Sequence, residues 1–219
     1  MDLSKLDLAV LARQLAKPEG EVGLAVGDYM SEHNAAVSAA AWKRLGLAPR
    51  DRVLEVGFGN GKLIPALLAL APDLAYTGID ISELMLAEAI GFCRAFIGTR
   101  KIDLRIASVE AMPFAAGCFD RALIVNTFYF VAHPERALGE LRRVLRPEGV
   151  LVVAGITPEA AASLSIVQHG FRIYDQPRLE EMLKRAGFRS ADVEVYRETT
   201  QRIDGGHHER SYHLARAVA

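Results

Sequence analysis

The chain has 219 residues, 51% of them hydrophobic and 24% charged, with 26 basic against 27 acidic side chains and a formal net charge of −1. That length suits one α/β domain with a full core and is short for two. Balanced charge gives no electrostatic reason to expect a nucleic-acid partner, whose backbone calls for a basic face, and the scattered Lys17, Arg44, Arg142, Arg143 and Arg146 read better as solvated helix faces.

Met1 to Val10 carries two aspartates and one lysine and has no continuous apolar core, unlike a secretory signal. Leu3, Leu6, Ala9 and Val10 fall at helical spacing, which predicts an amphipathic helix over 3–16, broken by Lys17-Pro18-Glu19-Gly20. A second helix is expected from about Gly27 to Leu45, with Tyr29, Met30, Ala36, Val37, Ala40 and Ala41 turned inward. From Arg52 onward strands and helices alternate. Strands are expected at 53–56, 75–79, 103–107, 121–125 and 150–154, with helices near 61–70, 82–97 and 134–145 between them. Most of these strands are apolar throughout, as in a parallel sheet covered on both faces. A helix at 178–186, with Gly187 as its C-cap, precedes strand-forming runs at 191–196 and 208–216. Gly205-Gly206 reads as the hairpin turn between them, with His207 and His208 facing solvent on opposite sides of a strand. The longest apolar run, Leu63 to Pro72, is about ten residues, too short to cross a bilayer. Cys93 and Cys118 make neither a metal cluster nor a disulfide framework, so a reduced, cytoplasmic, metal-free protein is expected.

One stretch carries most of the functional information: Val53-Leu54-Glu55-Val56-Gly57-Phe58-Gly59-Asn60-Gly61. It reads as a buried strand, a turn with glycine at alternate positions, and a helix beginning near Lys62. The glycines let the backbone turn sharply and leave no Cβ between it and a ligand. A dinucleotide-binding loop would place its third glycine at 62, where this chain has lysine. A phosphate-gripping loop would need Ser or Thr after Gly61-Lys62, where this chain has Leu63. The loop therefore suits a ligand without a phosphate. Downstream, Tyr76-Thr77-Gly78-Ile79-Asp80 ends a second strand on a carboxylate able to accept both ribose hydroxyl protons of an adenosine.

Glu55-x-Gly-Phe-Gly-Asn-Gly, Asp80, Ala111-Met112-Pro113-Phe114, Phe119-Asp120 and Leu141-Arg142-Arg143-Val144-Leu145-Arg146-Pro147-Glu148-Gly149, in this order, resemble class I S-adenosylmethionine-dependent methyltransferases. The resemblance covers roughly residues 50 to 155 and is similar to the ubiquinone/menaquinone-biosynthesis type. It implies a Rossmann-like, doubly wound α/β fold with a mostly parallel seven-stranded sheet, closed by an antiparallel C-terminal hairpin. One domain would span 1–219, with a helical cap or lid over 1–48 and a catalytic core over 49–219.

The resemblance also implies a cofactor, S-adenosyl-L-methionine, and a set of contacts. Gly57, Phe58, Gly59 and Gly61 would floor its methionine and ribose parts. Glu55 would act on its amino-acid end and Asp80 on the ribose. Ile81 would lie against the adenine, Met85 would cover the same ring or belong to the core, and Ser108 and Val109 would be further adenine contacts, Val109 through its backbone N–H. Many relatives carry an aspartate where this chain has Ser108. Asn126 would present a backbone carbonyl to the sulfonium end. Asn126-Thr127-Phe128-Tyr129 lacks the paired prolines of the amino-methylating relatives, which gives no ground for an exocyclic-amine substrate. Glu110 reads as solvent-exposed or loop-ordering. In the lid segment Val22–Asn34, Met30 and Asn34 are expected to approach the cofactor, against the plainer reading of a helix on the sheet edge.

Methyl transfer from a sulfonium often needs no strong base, so the candidates for catalysis are few. His133 has the resting pKa of a general base but also simply precedes the helix-starting Pro134. Tyr129 stands beside it, and His33, His169 and Tyr174 fall in possible lid segments. Phe128, Tyr129, Phe130, Phe171 and Tyr174 suit a partly apolar or aromatic acceptor. The expected acceptor is a small molecule, with no nucleic acid and no membrane insertion, and a homodimer is possible. Two other readings stay open: a non-catalytic S-adenosylmethionine-binding regulatory protein, and another nucleoside-cofactor enzyme on the same fold, such as a dehydrogenase or aminopropyl transferase.

Overall fold

Seven strands form one sheet in the order β3-β2-β1-β4-β5-β7-β6 in a computed structural model that describes residues 1–97, 101–201 and 207–219. They are β1 (Arg52–Val56), β2 (Ala75–Asp80), β3 (Lys101–Ile106), β4 (Phe119–Val125), β5 (Leu145–Ile156), β6 (Ser190–Gln201) and β7 (His207–Val218). The first five run parallel, and β7 lies antiparallel between β5 and β6. The chain steps outward from β1 to β3 and then returns to place β4 on the other side of β1. That reversal opens a crevice at the carboxyl ends of β1 and β4, where open α/β sheets hold ligands. The Gly205-Gly206 turn and the side chains of His207 and His208 lie outside the described residues.

The helices are α1 (Leu8–Ala16), α2 (Gly20–Leu45), α3 (Ile64–Leu68), α4 (Glu83–Ile97), α5 (Pro134–Val144), α6 (Pro158–Ala162) and α7 (Gln176–Arg185). Strand periodicity assigns each side chain to a face. Val53 packs with Val37, Ala41 and Leu45 of α2 and Ile64 and Leu67 of α3. Its neighbour Leu54 points the other way, toward Leu138 and Leu141 of α5 and Leu183 of α7. Both faces are covered, which explains why the strands read as continuous apolar runs.

Several expectations are corrected. The first helix is split into a short 3-10 turn over Leu3–Lys5 and α1, whose N-cap Asp7 accepts from the amides of Ala9 and Val10. α2 starts at Gly20, not near Gly27. Gly23 and Gly27 lie inside it and serve packing: a Cβ on Gly23 would lie 2.8 Å from Leu84 Cδ2, and one on Gly27 3.0 Å from Met85. Glycine costs about 1 kcal/mol inside a helix, and here it lets α2 lie directly on α4. The helix after the glycine loop shrinks to five residues, while β5 runs to twelve and absorbs Arg146-Pro147-Glu148-Gly149.

Most of the basic residues read as a solvated face are tethers instead. Arg44 pairs with Asp192 and Glu194 of β6. Arg143 binds Glu140 at 2.6 Å and donates to the Phe114 carbonyl at 2.7 Å. Arg146 and Arg52 share Asp120, and although burial pulls the Asp120 pKa up, the two guanidinium groups bring it down to about 2.

Candidate functional site

A cavity of about 290 Å³ opens at the switch point, between the carboxyl ends of β1, β2 and β4 and the underside of α2. Glu55, Gly57, Phe58, Gly59, Asp80, Ile81, Met85, Ser108, Val109, Asn126, Met30 and Asn34 all line it. Gly61 alone among the expected contacts does not, because it is packed against Ala89 of α4. The three glycines of the loop all have positive φ, 78°, 60° and 76° for Gly57, Gly59 and Gly61. Nothing lies within 4 Å of the place where a Cβ on Gly59 would sit. At that point the backbone is bare toward the cavity.

Two half-buried carboxylates face this floor. Asp80 ends β2 with Oδ2 accepting from Gly59 N–H at 3.2 Å and Oδ1 accepting from Ser82 N–H at 2.9 Å. Burial pushes its pKa up, and those amides pull the other way. The contacts fix the acid against the loop and leave lone pairs toward the cavity. Glu55 is deeper. Burial, with a contribution from Asp80, raises its pKa to about 7, against the lowering effect of Tyr76, whose hydroxyl donates to Oε2 at 2.5 Å. Tyr76 was missed by the sequence reading. The signal was present in the period of two, because positions 76 and 80 of one strand share a face.

The roof is tied to the floor by side chains. Asp28 of α2 accepts from Lys62 Nζ at 2.7 Å and from Asn60 Nδ2 at 3.0 Å. Ser31 donates to Asn60 Oδ1 at 2.5 Å. Ser82 donates to the Pro18 carbonyl at 2.6 Å, fastening the break between α1 and α2 to the loop after β2. Farther along α2, Asn34 Oδ1 accepts from Asn126 Nδ2 at 2.9 Å. Asn126 turns the chain at the end of β4 with φ of 49°. Its amide N–H donates to Ala154 at 2.9 Å, and its buried Oδ1 has no partner. Lys62, the residue that broke the dinucleotide pattern, is thus part of the clamp.

The catalytic candidates are not brought to the cavity. His133 is exposed at the start of α5, where its backbone N–H donates to Glu110 Oε1 at 3.0 Å. Glu110 is accordingly loop-ordering, and it also lines the cavity. Tyr129 is buried behind the site, its ring 5.1 Å from that of Phe171, and burial raises its pKa far above the ordinary phenol value. Phe128 packs on Tyr174 in the core, His169 is exposed, and His33 stacks on Tyr29 at 3.7 Å. Of the aromatic trio, Phe130 faces the cavity.

Residues 54–153 match the family described as "Methyltransferase domain". Over 131 residues the chain is 36% identical to a demethylmenaquinone methyltransferase of Thermus thermophilus, an overlap of 59% of this chain and 56% of that one. It is 28% identical to an O-methyltransferase of Pyrenophora dematioidea over 74% of this chain and 63% of the relative. The chain thus spans less than two thirds of the length of either relative. A chain from the complex of the Haloferax volcanii Trm112 methyltransferase activator with a methyltransferase shares the fold, with a TM-score of 0.72, 20% identity and coverage of 91% of this chain and 95% of that one.

Proposed function

We propose that the chain is an active S-adenosylmethionine-dependent methyltransferase that methylates a small-molecule acceptor, a reading supported by the methyltransferase-domain match over residues 54–153 and the likeness to a demethylmenaquinone methyltransferase. The observation that carries this reading is the intact pairing of Asp80 with the Gly59 amide at the edge of a cavity roofed by α2. In this reading Asp80 takes the ribose hydroxyls, Ile81 and Met85 face Ser108 and Val109 across the adenine, and Glu55 serves the amino-acid end. Residues 1–48 act as the cap and 49–219 as the core. The cofactor supplies a methyl group already activated on a sulfonium.

The protein's part is alignment and exclusion of water, and alignment alone contributes on the order of 7–11 kcal/mol. The lining, mostly apolar around Met30, Phe130 and Val131, favours a small, partly apolar acceptor over a polymer. Relatives include a demethylmenaquinone methyltransferase and O-methyltransferases, in keeping with that class. Among the described residues no helix is long and apolar enough to cross a membrane.

The test has two arms. S-adenosylhomocysteine should raise the melting temperature, and Asp80→Ala, which removes a charge-assisted acceptor commonly worth about 1.5–3 kcal/mol, should weaken its binding at least about tenfold. Methyl-labelled cofactor offered to metabolite extracts should then yield a labelled small molecule. Label appearing only in tRNA, DNA or protein would overturn the acceptor class.

A further inference from the structure

One border of the sheet is open, and the chain there matches itself. β3 pairs with β2, and among the described residues no strand lies on its outer side. Ala107 donates its amide to the Asp80 carbonyl at 3.0 Å. Odd positions of the strand therefore turn their backbone groups inward, and Ile102, Leu104 and Ile106 present theirs outward. Such an unpaired row of N–H and C=O groups is a template for another strand. The border is apolar as well: Ile106 is 44% exposed, and α4, which packs over β3, leaves Ile90 and Phe92 43% and 46% exposed. On the other pleat face Arg105 binds Asp103 at 2.6 Å and lies over the Phe114 ring, 5.3 Å from its centroid. The edge thus displays an anion and a cation two residues apart, both half exposed.

We propose that β3 joins two copies of this chain, paired antiparallel about a twofold axis level with Leu104, to give one continuous sheet across both subunits. An axis perpendicular to the sheet keeps every side chain on its own face, so it must lie level with a residue and not between two. Centred on Asp103 it would set two carboxylates face to face, and centred on Arg105 two guanidinium groups. Centres at the ends of the strand leave half of it unpaired. Centred on Leu104 it sets Asp103 opposite the second copy's Arg105, twice over by symmetry, with Leu104 on Leu104 and Ile102 opposite Ile106. The outward backbone groups of those three apolar residues then meet and close the ladder. Charge commonly blunts an edge, but here its alternating sign selects a partner and a register. The same axis sets the two α4 helices on one face of the joined sheet, on either side of the seam. The other border, β6, offers no such match. None of its described residues is a large exposed apolar side chain, and antiparallel pairing centred anywhere from Val193 to Tyr196 sets acid against acid among Asp192, Glu194 and Glu198.

Sedimentation velocity of the intact chain at micromolar concentration tests the interface. Wild type should sediment as a species of twice the 23.9 kDa chain mass. Asp103→Arg and Arg105→Asp each set like charges across the seam. Each should weaken the dimer at least about tenfold while keeping the wild-type circular dichroism spectrum. Mixed in equal amounts the two variants are complementary, basic pairs on one strand facing acidic pairs on the other, and should form a heterodimer. The double variant Asp103→Arg/Arg105→Asp restores opposite charges and should dimerise like wild type. Wild type that stays at the mass of one chain overturns the inference. So does undiminished dimerisation of both single variants, which would put the interface elsewhere, and so does a mixture that remains monomeric. Should either single variant fail to fold, Ile106→Lys takes its place at a position already 44% exposed, and a dimer unchanged by that lysine overturns the inference instead.

Discussion

Tyr76 and Glu55 stand on adjacent strands, and the phenol of one donates a 2.5 Å hydrogen bond to the carboxylate of the other. Burial of the carboxylate, which this contact only partly offsets, makes the site sensitive to pH. Burial raises the Glu55 pKa from 4.5 to about 7. Between those values the folded protein holds a proton that the unfolded chain releases. The group's contribution to stability is therefore complete below about pH 4.5 and is lost as pH rises through about 7, at up to about 1.4 kcal/mol per unit. Glu55→Gln should be more stable than wild type at pH 8 without ligand. A cationic cofactor favours the carboxylate, so its affinity should rise between pH 6 and 8 in wild type and stay flat in Glu55→Gln. Calorimetric titrations across that range check both, and parallel profiles for the two proteins would remove Glu55 from the cofactor site.

Tyr76→Phe isolates the hydrogen bond from the packing. The ring is fully buried, and Phe fills the same space, so the folding penalty should stay near 1 kcal/mol. The phenol lowers the Glu55 pKa, and its removal should move the midpoint of the cofactor's binding profile to higher pH. A purely structural tyrosine would change the melting temperature and leave that midpoint in place.

The fold was legible because the strands are short apolar runs separated by turn residues, and because the acidic ends Glu55 and Asp80 mark where strands stop. What escaped was tertiary. The early start of α2, through Gly23 and Gly27, makes sense only once Leu84 and Met85 are known to press on them. Arg44 and Arg146 look solvated until Asp192 and Asp120, distant in the chain, are brought beside them. The motif residues of the lining were legible, since motifs carry their own spacing, but Leu15, Ala16, Pro18 and Ser38, which α1, α2 and the break between them bring over the cavity, were not. Asp28, Ser31 and Asn60 were missed because no local pattern announces a contact between a helix and a loop some thirty residues apart.

That contact makes α2 a cap held by polar groups, and its grip should be measurable. The Lys62–Asp28 pair is half exposed, so Asp28→Ala should lower global stability by less than about 1 kcal/mol. It should nonetheless speed hydrogen exchange over residues 20–35, because the Asn60 amide loses the same partner. S-adenosylhomocysteine should slow exchange over that segment in wild type. Exchange there that ignores the ligand would reduce α2 to a helix resting on the sheet.

The glycine loop offers the sharpest separation of folding from binding. Gly61 has φ of 76°, and a Cβ there would lie 2.7 Å from the Ala89 Cβ and 2.9 Å from its Cα, neither of which can swing away. Gly59 has φ of 60° and open space above it. Alanine at 59 therefore pays only the left-handed backbone penalty, about 1–2 kcal/mol, or a few degrees of melting temperature for a chain of this size. Its methyl group would stand where the ligand has to lie. Gly61→Ala adds a collision to the same penalty, so it should lose clearly more stability, at least about 3 kcal/mol. The variant at 59 should fold, melt within a few degrees of wild type and lose at least about tenfold in S-adenosylhomocysteine affinity, since even one blocked hydrogen-bond site has that effect. Differential scanning calorimetry ranks the two stabilities, and titration of the folded Gly59→Ala protein reads the binding. Wild-type affinity in that variant would mean the ligand does not cross the loop, and the floor of the site would have to be sought elsewhere.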